Sequence, residues 1–346
     1  MAPGPPPSPP YRGMGGEFEG RAGESFSPGP PLKSISTLSS IRLGTRGSAL
    51  ALAQARWVAA QISGRYPDQR VELVIIKTTG DQLHDIPLAQ VGGKGLFIKE
   101  IEEALLAGEV DLAVHSLKDM PALIPPGLML GAVPQREDWR DALISERYAS
   151  LAQIPAGGRL GTGSLRRRAQ LLHLRPDLEV VGLRGNVDTR LKKMAALGLD
   201  GLILAAAGLN RLGLTQVKRT VLPETEMLPA VGQGALGLEV RNEDWRLREL
   251  IDFLEHPPTR VAVTAERAFL ARLEGGCVVP VAAHGRVEGD SLLLTALISD
   301  GDGRRLLRDS LKGCCADAPS MGGHLADRLL DRGGREILAE LYGRTL

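Results

Sequence analysis

The stretch Glu109–Pro121, E-V-D-L-A-V-H-S-L-K-D-M-P, decides how this chain is read. Leu112 to Val114 is a short apolar run of the kind that forms a buried strand. The run gives way to His115, Ser116, Lys118 and Asp119, and stops at Pro121, which cannot continue a ladder. Open α/β sheets place their ligands at the carboxyl ends of such strands. Lys118 beside Asp119 sets a cation and a carboxylate on a chain that must turn. The bland alternative is a solvated Lys–Asp turn, and the remaining sequence weighs against it.

Outward from this stretch, a strand–turn–helix pattern recurs. Ser40 to Leu43 leads into G-T-R-G-S-A-L-A-L-A-Q, so Arg46 and Ser48 fall at a turn and Ser48 is a natural N-cap. Val71 to Ile76 is a strand, Thr78 to Gly95 a glycine-rich loop expected to be mobile, and Leu96 to Ala107 an amphipathic helix. Leu128 to Val133 and Ala142 to Ile144 are further strands. Arg159 to Gly161 leads into T-G-S-L-R-R-R, with Thr162 and Ser164 at a helix start and Arg166, Arg167 and Arg168 in its first turns. Glu179 to Gly182 leads into L-R-G-N-V-D-T-R-L, with Arg184 before a helix and Arg190 within it. Gly201 to Ala205 leads into the helix that carries Arg211. The repetition predicts mainly parallel sheets covered on both faces.

Arginines at helix starts are unfavourable, because the helix dipole already places positive charge there. A bound polyanion resolves the conflict through backbone N–H groups and guanidinium forks together. At least one of the three consecutive arginines is expected merely to solvate a surface. Gly232–Gly237, G-Q-G-A-L-G, matches the dinucleotide pattern, but a strand-like segment follows it where a helix is required. The six histidines are scattered and His84 beside Asp81 and Asp85 is a weak cluster, so no metal is expected.

Composition bounds the rest. A chain of 346 residues with 43% hydrophobic residues builds two or three domains. Its net charge of +1 offers no global field for nucleic acid or membrane. Three cysteines, Cys277, Cys314 and Cys315, fit a reducing cytoplasm rather than a disulfide scaffold. Residues 1–38, rich in Pro, Gly and Ser, read as a disordered extension. Toward the other end, Leu236 to Val240 is a strand, Trp245 to Leu254 a helix, His256-Pro257-Pro258 a linker and Thr259 to Leu273 a helix. Val281–Val287, Leu292–Ile298 and Arg305–Leu311 form an antiparallel meander, closed by helices at Leu325–Leu330 and Glu336–Tyr342. Cys277 follows two glycines on a loop; a lone cysteine is more often a small core hydrophobe. Cys314-Cys315 falls in a loop without an assigned role.

Together these motifs resemble the porphobilinogen deaminase (hydroxymethylbilane synthase) family. The match is carried by T-R-G-S-A-L-A at 45–51, V-G-G-K-G-L-F at 91–97, A-V-H-S-L-K-D-M-P at 113–121 and G-T-G-S-L-R-R at 161–167. It continues with L-R-G-N-V-D-T-R-L at 183–191, A-A-G-L-N-R-L at 206–212, A-V-G-Q-G-A-L-G at 230–237 and L-E-G-G-C-V-V-P at 273–280.

The resemblance implies an α/β fold: two lobes like type II periplasmic binding proteins plus a smaller C-terminal α+β domain. Domain 1 spans 39–134 and 235–254, domain 2 spans 135–234, and domain 3 spans 255–346. By position, Asp119 matches the catalytic aspartate, and Cys277 the cysteine that holds a dipyrromethane cofactor through a thioether. Ser48, Lys118, Asp119, Thr162, Ser164, Arg166, Arg167, Arg184 and Asn186 match cofactor contacts. Arg46, Ser48, Arg184, Arg190 and Arg211 match substrate contacts, and Lys94 and Phe97 the active-site loop. The implied reaction expels ammonia from porphobilinogen and joins four units head-to-tail on the dipyrromethane primer, releasing hydroxymethylbilane. A carboxylate at the pyrrole N–H stabilises the azafulvene cation. Two cofactor rings and four substrate rings, each with two carboxylates, explain an arginine-lined cleft.

The resemblance further implies a cytoplasmic monomer whose partners are porphobilinogen and the growing polypyrrole, with neither nucleic acid nor membrane. Gly163, where many members have Ser, and Gln90, where some have a loop lysine, depart from the family pattern. Two rival readings remain open. A bilobal binding protein leaves Cys277 unexplained, and a cysteine hydrolase pairing Cys277 with His115 requires a free thiol.

Overall fold

The structure, a computed structural model, describes residues 40–82, 98–273 and 279–343. The first sheet contains β1 (Ile41–Thr45), β2 (Val71–Ile75), β3 (Leu112–Ser116), β4 (Leu128–Ala132) and β10 (Leu236–Arg241), in the order β2-β1-β3-β10-β4. The second contains β5 (Asp141–Ile144), β6 (Arg159–Gly161), β7 (Glu179–Val181), β8 (Gly201–Ala205) and β9 (Arg219–Val221), in the order β7-β6-β8-β5-β9. The two orders correspond position for position. In each, four strands run one way, while the fourth in order, β10 or β5, pairs antiparallel with both neighbours. The sheets are thus mainly parallel, as the sequence pattern predicts, with one reversed strand in each that the pattern does not predict. The reversed strand is in each case the first after a crossing from the other lobe, so its direction is set by that crossing rather than by a helical return.

Helices cover both faces of the first sheet. Helix α1 (Ala49–Arg65) buries Ala55, Val58 and Ile62 against Ile41, Leu43, Leu112 and Val114. A short helix, α2 (Thr79–Gln82), begins the segment expected to be loop. On the opposite face, α3 (Lys99–Leu106) packs Ile101, Ala104 and Leu105 against Ala113 and Leu128. In the second lobe, α4 (Leu165–Leu174) follows β6, α5 (Val187–Ala196) follows β7 and α6 (Ala206–Arg211) follows β8. Helix α7 (Trp245–Ile251) returns Leu247, Leu250 and Ile251 to the first core.

The third core is a meander, β11 (Val281–Glu288), β12 (Ser291–Ser299) and β13 (Leu306–Cys314), with α8 (Pro257–Arg272), α9 (Ala318–Leu329) and α10 (Arg335–Tyr342). Three expectations change here. Pro257 and Pro258 are no linker but the first turn of α8, capped by His256; a first-turn proline gives up an N–H that has no helical partner anyway. Helix α9 starts at Ala318, seven residues before the expected Leu325, through a Gly322-Gly323 pair that reads as a breaker. Gly322 instead permits close helix packing, since a Cβ there would meet Ala265 O at 2.3 Å. Finally, Cys314 ends β13 rather than lying in a loop. The strand β9 is too short, at three residues, to carry a periodicity that marks it in the sequence.

Candidate active site

The site is built on the end of β3. Ser116 closes the strand, its Oγ 2.8 Å from Gln54 Nε2 on α1. Leu117 is buried and its N–H donates to Ala235 O at 3.0 Å, so Lys118 and Asp119 are turned out on a fixed pivot. Asp119 lines an open recess with Arg46, Ser48, Gln54, His115 and Ser116. A second recess shares Gln54 and Ser116 and adds Lys118, Gly208 and Arg211. The two recesses together therefore have walls from both lobes.

Three helices begin at this cleft, each capped by a residue singled out in the sequence. Ser48 Oγ accepts from Ala51 N–H at 3.3 Å, Ser164 Oγ from Arg167 N–H at 3.5 Å and Asn186 Oδ1 from Thr189 N–H at 2.9 Å. Thr162 Oγ1 accepts from Ser164 N–H at 3.2 Å. These side chains satisfy first-turn donors and hold the helix starts in place. A Cβ at Gly163 would lie 2.4 Å from Leu183 O, so the turn closes more tightly here than a serine permits without movement.

The arginines divide into two kinds. Arg166 and Arg167 are buried at the root of α4 and share one buried carboxylate, Asp141. Arg166 Nη1 donates to Asp141 Oδ2 at 2.7 Å; Arg167 Nη2 and Nε donate to Oδ1 at 2.8 and 3.1 Å. The two guanidiniums hold the Asp141 carboxyl far below the usual carboxylate range against its burial. Arg168 points away, 2.8 Å from Asp302 at the surface. Arg190 and Arg211 lie along the cleft, where burial lowers each guanidinium to about 10. For Arg190 the nearby Arg167 and Arg184 add to that lowering and Asp119 opposes it. Lys118 is lowered to about 8 by burial and by Arg167 and Arg166, with Asp119 and Asp141 pulling the other way. Asp119 of the first lobe and the arginines of the second thus share one electrostatic neighbourhood.

Several participants escaped the sequence reading. Asp141 is an acid at a strand start, with nothing in its spacing to mark it as the partner of two arginines. Gln233 Nε2 donates to the same Asp141 Oδ1 at 2.9 Å and to Trp139 O at 2.8 Å. Below the site, His115 Nε2 and Glu239 Oε2 lie 3.0 Å apart and buried, with Glu102 of α3 beside them. The β3–β10 register, which pairs His115 with Gly237, sets Glu239 on the same face. Lys94, Phe97, Cys277, His84, Asp85 and Gln90 lie outside the described residues, as does the extension 1–38.

Known proteins share this chain's sequence over most of its length. Residues 41–249 match the family domain described as "Porphobilinogen deaminase, dipyromethane cofactor binding domain", and residues 261–331 match "Porphobilinogen deaminase, C-terminal domain". The chain is 57% identical over 309 residues to the porphobilinogen deaminase of Geobacter sulfurreducens, covering 89% of this chain and 97% of that one. It is 55% identical over 306 residues to that of Trichlorobacter lovleyi, covering 88% and 98%. A looser likeness, on which nothing here rests, is to the methionine binding protein MetQ, with a TM-score of 0.39 and 16% identity over 62% of this chain and 87% of that one. The chain belongs to the porphobilinogen deaminase family.

Proposed function

We propose that this chain deaminates porphobilinogen and joins four molecules head-to-tail on a covalent dipyrromethane primer, releasing hydroxymethylbilane and ammonia. The observation that carries the reading is the meeting of Asp119 with a cation from each lobe, Lys118 and Arg190. A carboxylate set among cations suits a substrate whose ring becomes cationic while its side arms stay anionic.

The residues present fit the cofactor. Formally, Arg166, Arg167 and Lys118 outnumber Asp119 and Asp141 by one charge, which leaves the pocket attractive to a carboxylate. Arg166 Nε is a buried donor with no partner among the described residues, so a donor remains for an incoming acceptor. Lys118, Arg166, Arg167 and Arg184 would hold the cofactor carboxylates, with Ser48, Thr162, Ser164 and Asn186 fixing the turns around them. When bound through Cys277, the dipyrromethane supplies the nucleophilic pyrrole carbon on which elongation begins.

Asp119 is the catalytic residue of this reading. As the C–N bond of the aminomethyl arm breaks and ammonia departs, the carboxylate faces the pyrrole N–H and stabilises the positive charge that forms there. It is also the group placed to accept the proton released on coupling. Arg46, Ser48, Arg184, Arg190 and Arg211 hold the substrate's acetate and propionate, orienting the ring before reaction. Lys94 and Phe97, outside the described residues, are assigned to the active-site loop only by their match to the family pattern.

The domain limits that suit this reading are 39–134 with 235–254, then 135–234, then 255–346. We further place the protein in the cytoplasm as a monomer without nucleic-acid or membrane partners. Its net charge of +1 offers no global field for nucleic acid or a membrane surface, and no helix among the described residues is long and apolar enough to cross a membrane. Incubation with porphobilinogen tests the function: substrate should disappear with matching release of ammonia and hydroxymethylbilane. Binding without consumption would instead favour a binding protein.

A further inference from the structure

Asp141 does more than neutralise two arginines, because its carboxylate also touches the chain that returns from the second lobe to the first. Oδ1 accepts from Arg167 Nε and Nη2 and from Gln233 Nε2, while Oδ2 accepts from Arg166 Nη1. Gln233 belongs to the segment between β9 and β10. The same segment is tied to α4 at a second point. Arg166 Nη1 and Gln170 Nε2 both donate to Leu228 O, at 2.6 and 3.0 Å, and Leu228 N–H donates to Gln170 Oε1 at 2.8 Å. One carboxylate therefore sits at the junction of the arginine pair and a lobe-crossing segment.

We propose that Asp141 is the positioning residue of the Arg166–Arg167 pair, and that through Gln233 it couples the seating of an anionic ring on the second lobe to the return segment 222–235. The inference rests on the reading of Arg166 and Arg167 as carboxylate-binding residues. The physical argument is one of competition. A guanidinium has a fixed fork of donors, and Arg167 commits Nε and Nη2 to Asp141 and Nη1 to Ile203 O, so a ring carboxylate that draws Arg167 toward the cleft must lengthen its bonds to Asp141, whereas Arg166 can meet it through its spare Nε. Asp141 then turns toward the donors that remain, among them Gln233, and the buried network shifts as a unit. Such a shift reaches the return segment without any ligand contact to it. It gives a chain that must accommodate successive added rings a route from cofactor site to lobe crossing.

The test uses the full-length loaded protein and two variants, Asp141→Asn and Gln233→Leu, with two readouts. Hydrogen exchange reports on amides of the return segment, above all Leu228, and intact mass reports the ladder of substrate-bearing intermediates at limiting porphobilinogen. In Asp141→Asn we expect exchange at Leu228 to rise about tenfold or more and the ladder to pile up on early rungs, with kcat reduced by about tenfold to a hundredfold. Gln233→Leu keeps every charge and should move both readouts in the same direction, by less. Wild-type exchange and a wild-type ladder in a folded Asp141→Asn protein would overturn the proposal. If that variant does not accumulate folded, unchanged exchange and ladder in Gln233→Leu would overturn it instead. A wild-type ladder in Arg167→Gln would sink the carboxylate-binding reading for that arginine, whatever the two Asp141-linked variants show.

Discussion

His115 Nε2 lies 3.0 Å from Glu239 Oε2, both side chains buried directly beneath the strand end that carries Asp119. A second carboxyl, Glu102, completes the cluster from α3, and Arg267 of α8 faces Glu239 from the third domain. Burial, and then the charge of Glu239, push the Glu102 carboxyl up to about 7, with His115 pulling against them. The folded protein thus holds a proton that the unfolded chain releases near 4.5. Stability contributed by this group is present in full below 4.5, falls as pH rises to about 7, and is constant above. Glu102→Gln should match wild type near the acid end and exceed it at neutral pH by ~1 kcal/mol, allowing for partial solvent screening. Urea unfolding at acid and neutral pH measures this; an offset independent of pH contradicts it.

Lys118 gives a dependence of opposite origin. Its ammonium, lowered to about 8 by burial, is predominantly charged below that pH and neutral above it. Carboxylate recognition through Lys118 should weaken as pH rises through 8. The hold on the cofactor carboxylate should therefore loosen on the alkaline side and kcat fall by about fivefold, the worth of ~1 kcal/mol in a partly solvated pair. Lys118→Arg keeps its charge and should move that limb to higher pH. A limb that stays in place would remove Lys118 from cofactor recognition.

Arg136 and Glu266 join the segment after β4 to α8 through a buried two-point pair, Nη1–Oε1 at 2.6 Å and Nη2–Oε2 at 3.1 Å. Glu266 also accepts from the N–H groups of Gly232 at 2.7 Å and Gly285 at 2.9 Å. Arg136→Met would leave a buried carboxylate without its cation, at a cost of about 3–5 kcal/mol. Denaturant titration should show that loss. A change below ~1 kcal/mol would mean that the pair is solvated in solution.

Asp119→Ala should retain the fold, because the turn is held by Leu117 and not by the carboxylate. Turnover should fall by about a thousandfold or more, as for removal of a group that stabilises developing charge. Single-turnover assays of ammonia release check this, and a rate near wild type would take Asp119 out of the mechanism.

Much of this architecture is legible in the chain. The run ending at Asp119, the caps Ser48 and Ser164, and the arginines placed against the helix dipole all announce themselves through local rules. What stayed hidden is long-range. Asp141 acquires meaning only when residues 25 and 26 positions away fold onto it, and Glu239 only when β10 returns beside β3. The reversed strands and the Gly322 contact are likewise set by partners distant in sequence. Pro257-Pro258 misled for a different reason: the same residues that break a helix interior suit its first turn.

The central claim is a covalent primer on Cys277, and the intact mass of the purified protein beside that of Cys277→Ser tests it most directly. The wild-type protein should exceed its chain mass by two deaminated porphobilinogen units, an excess absent from the variant. A wild-type protein that shows the bare chain mass, and still shows it after incubation with porphobilinogen, would contradict it.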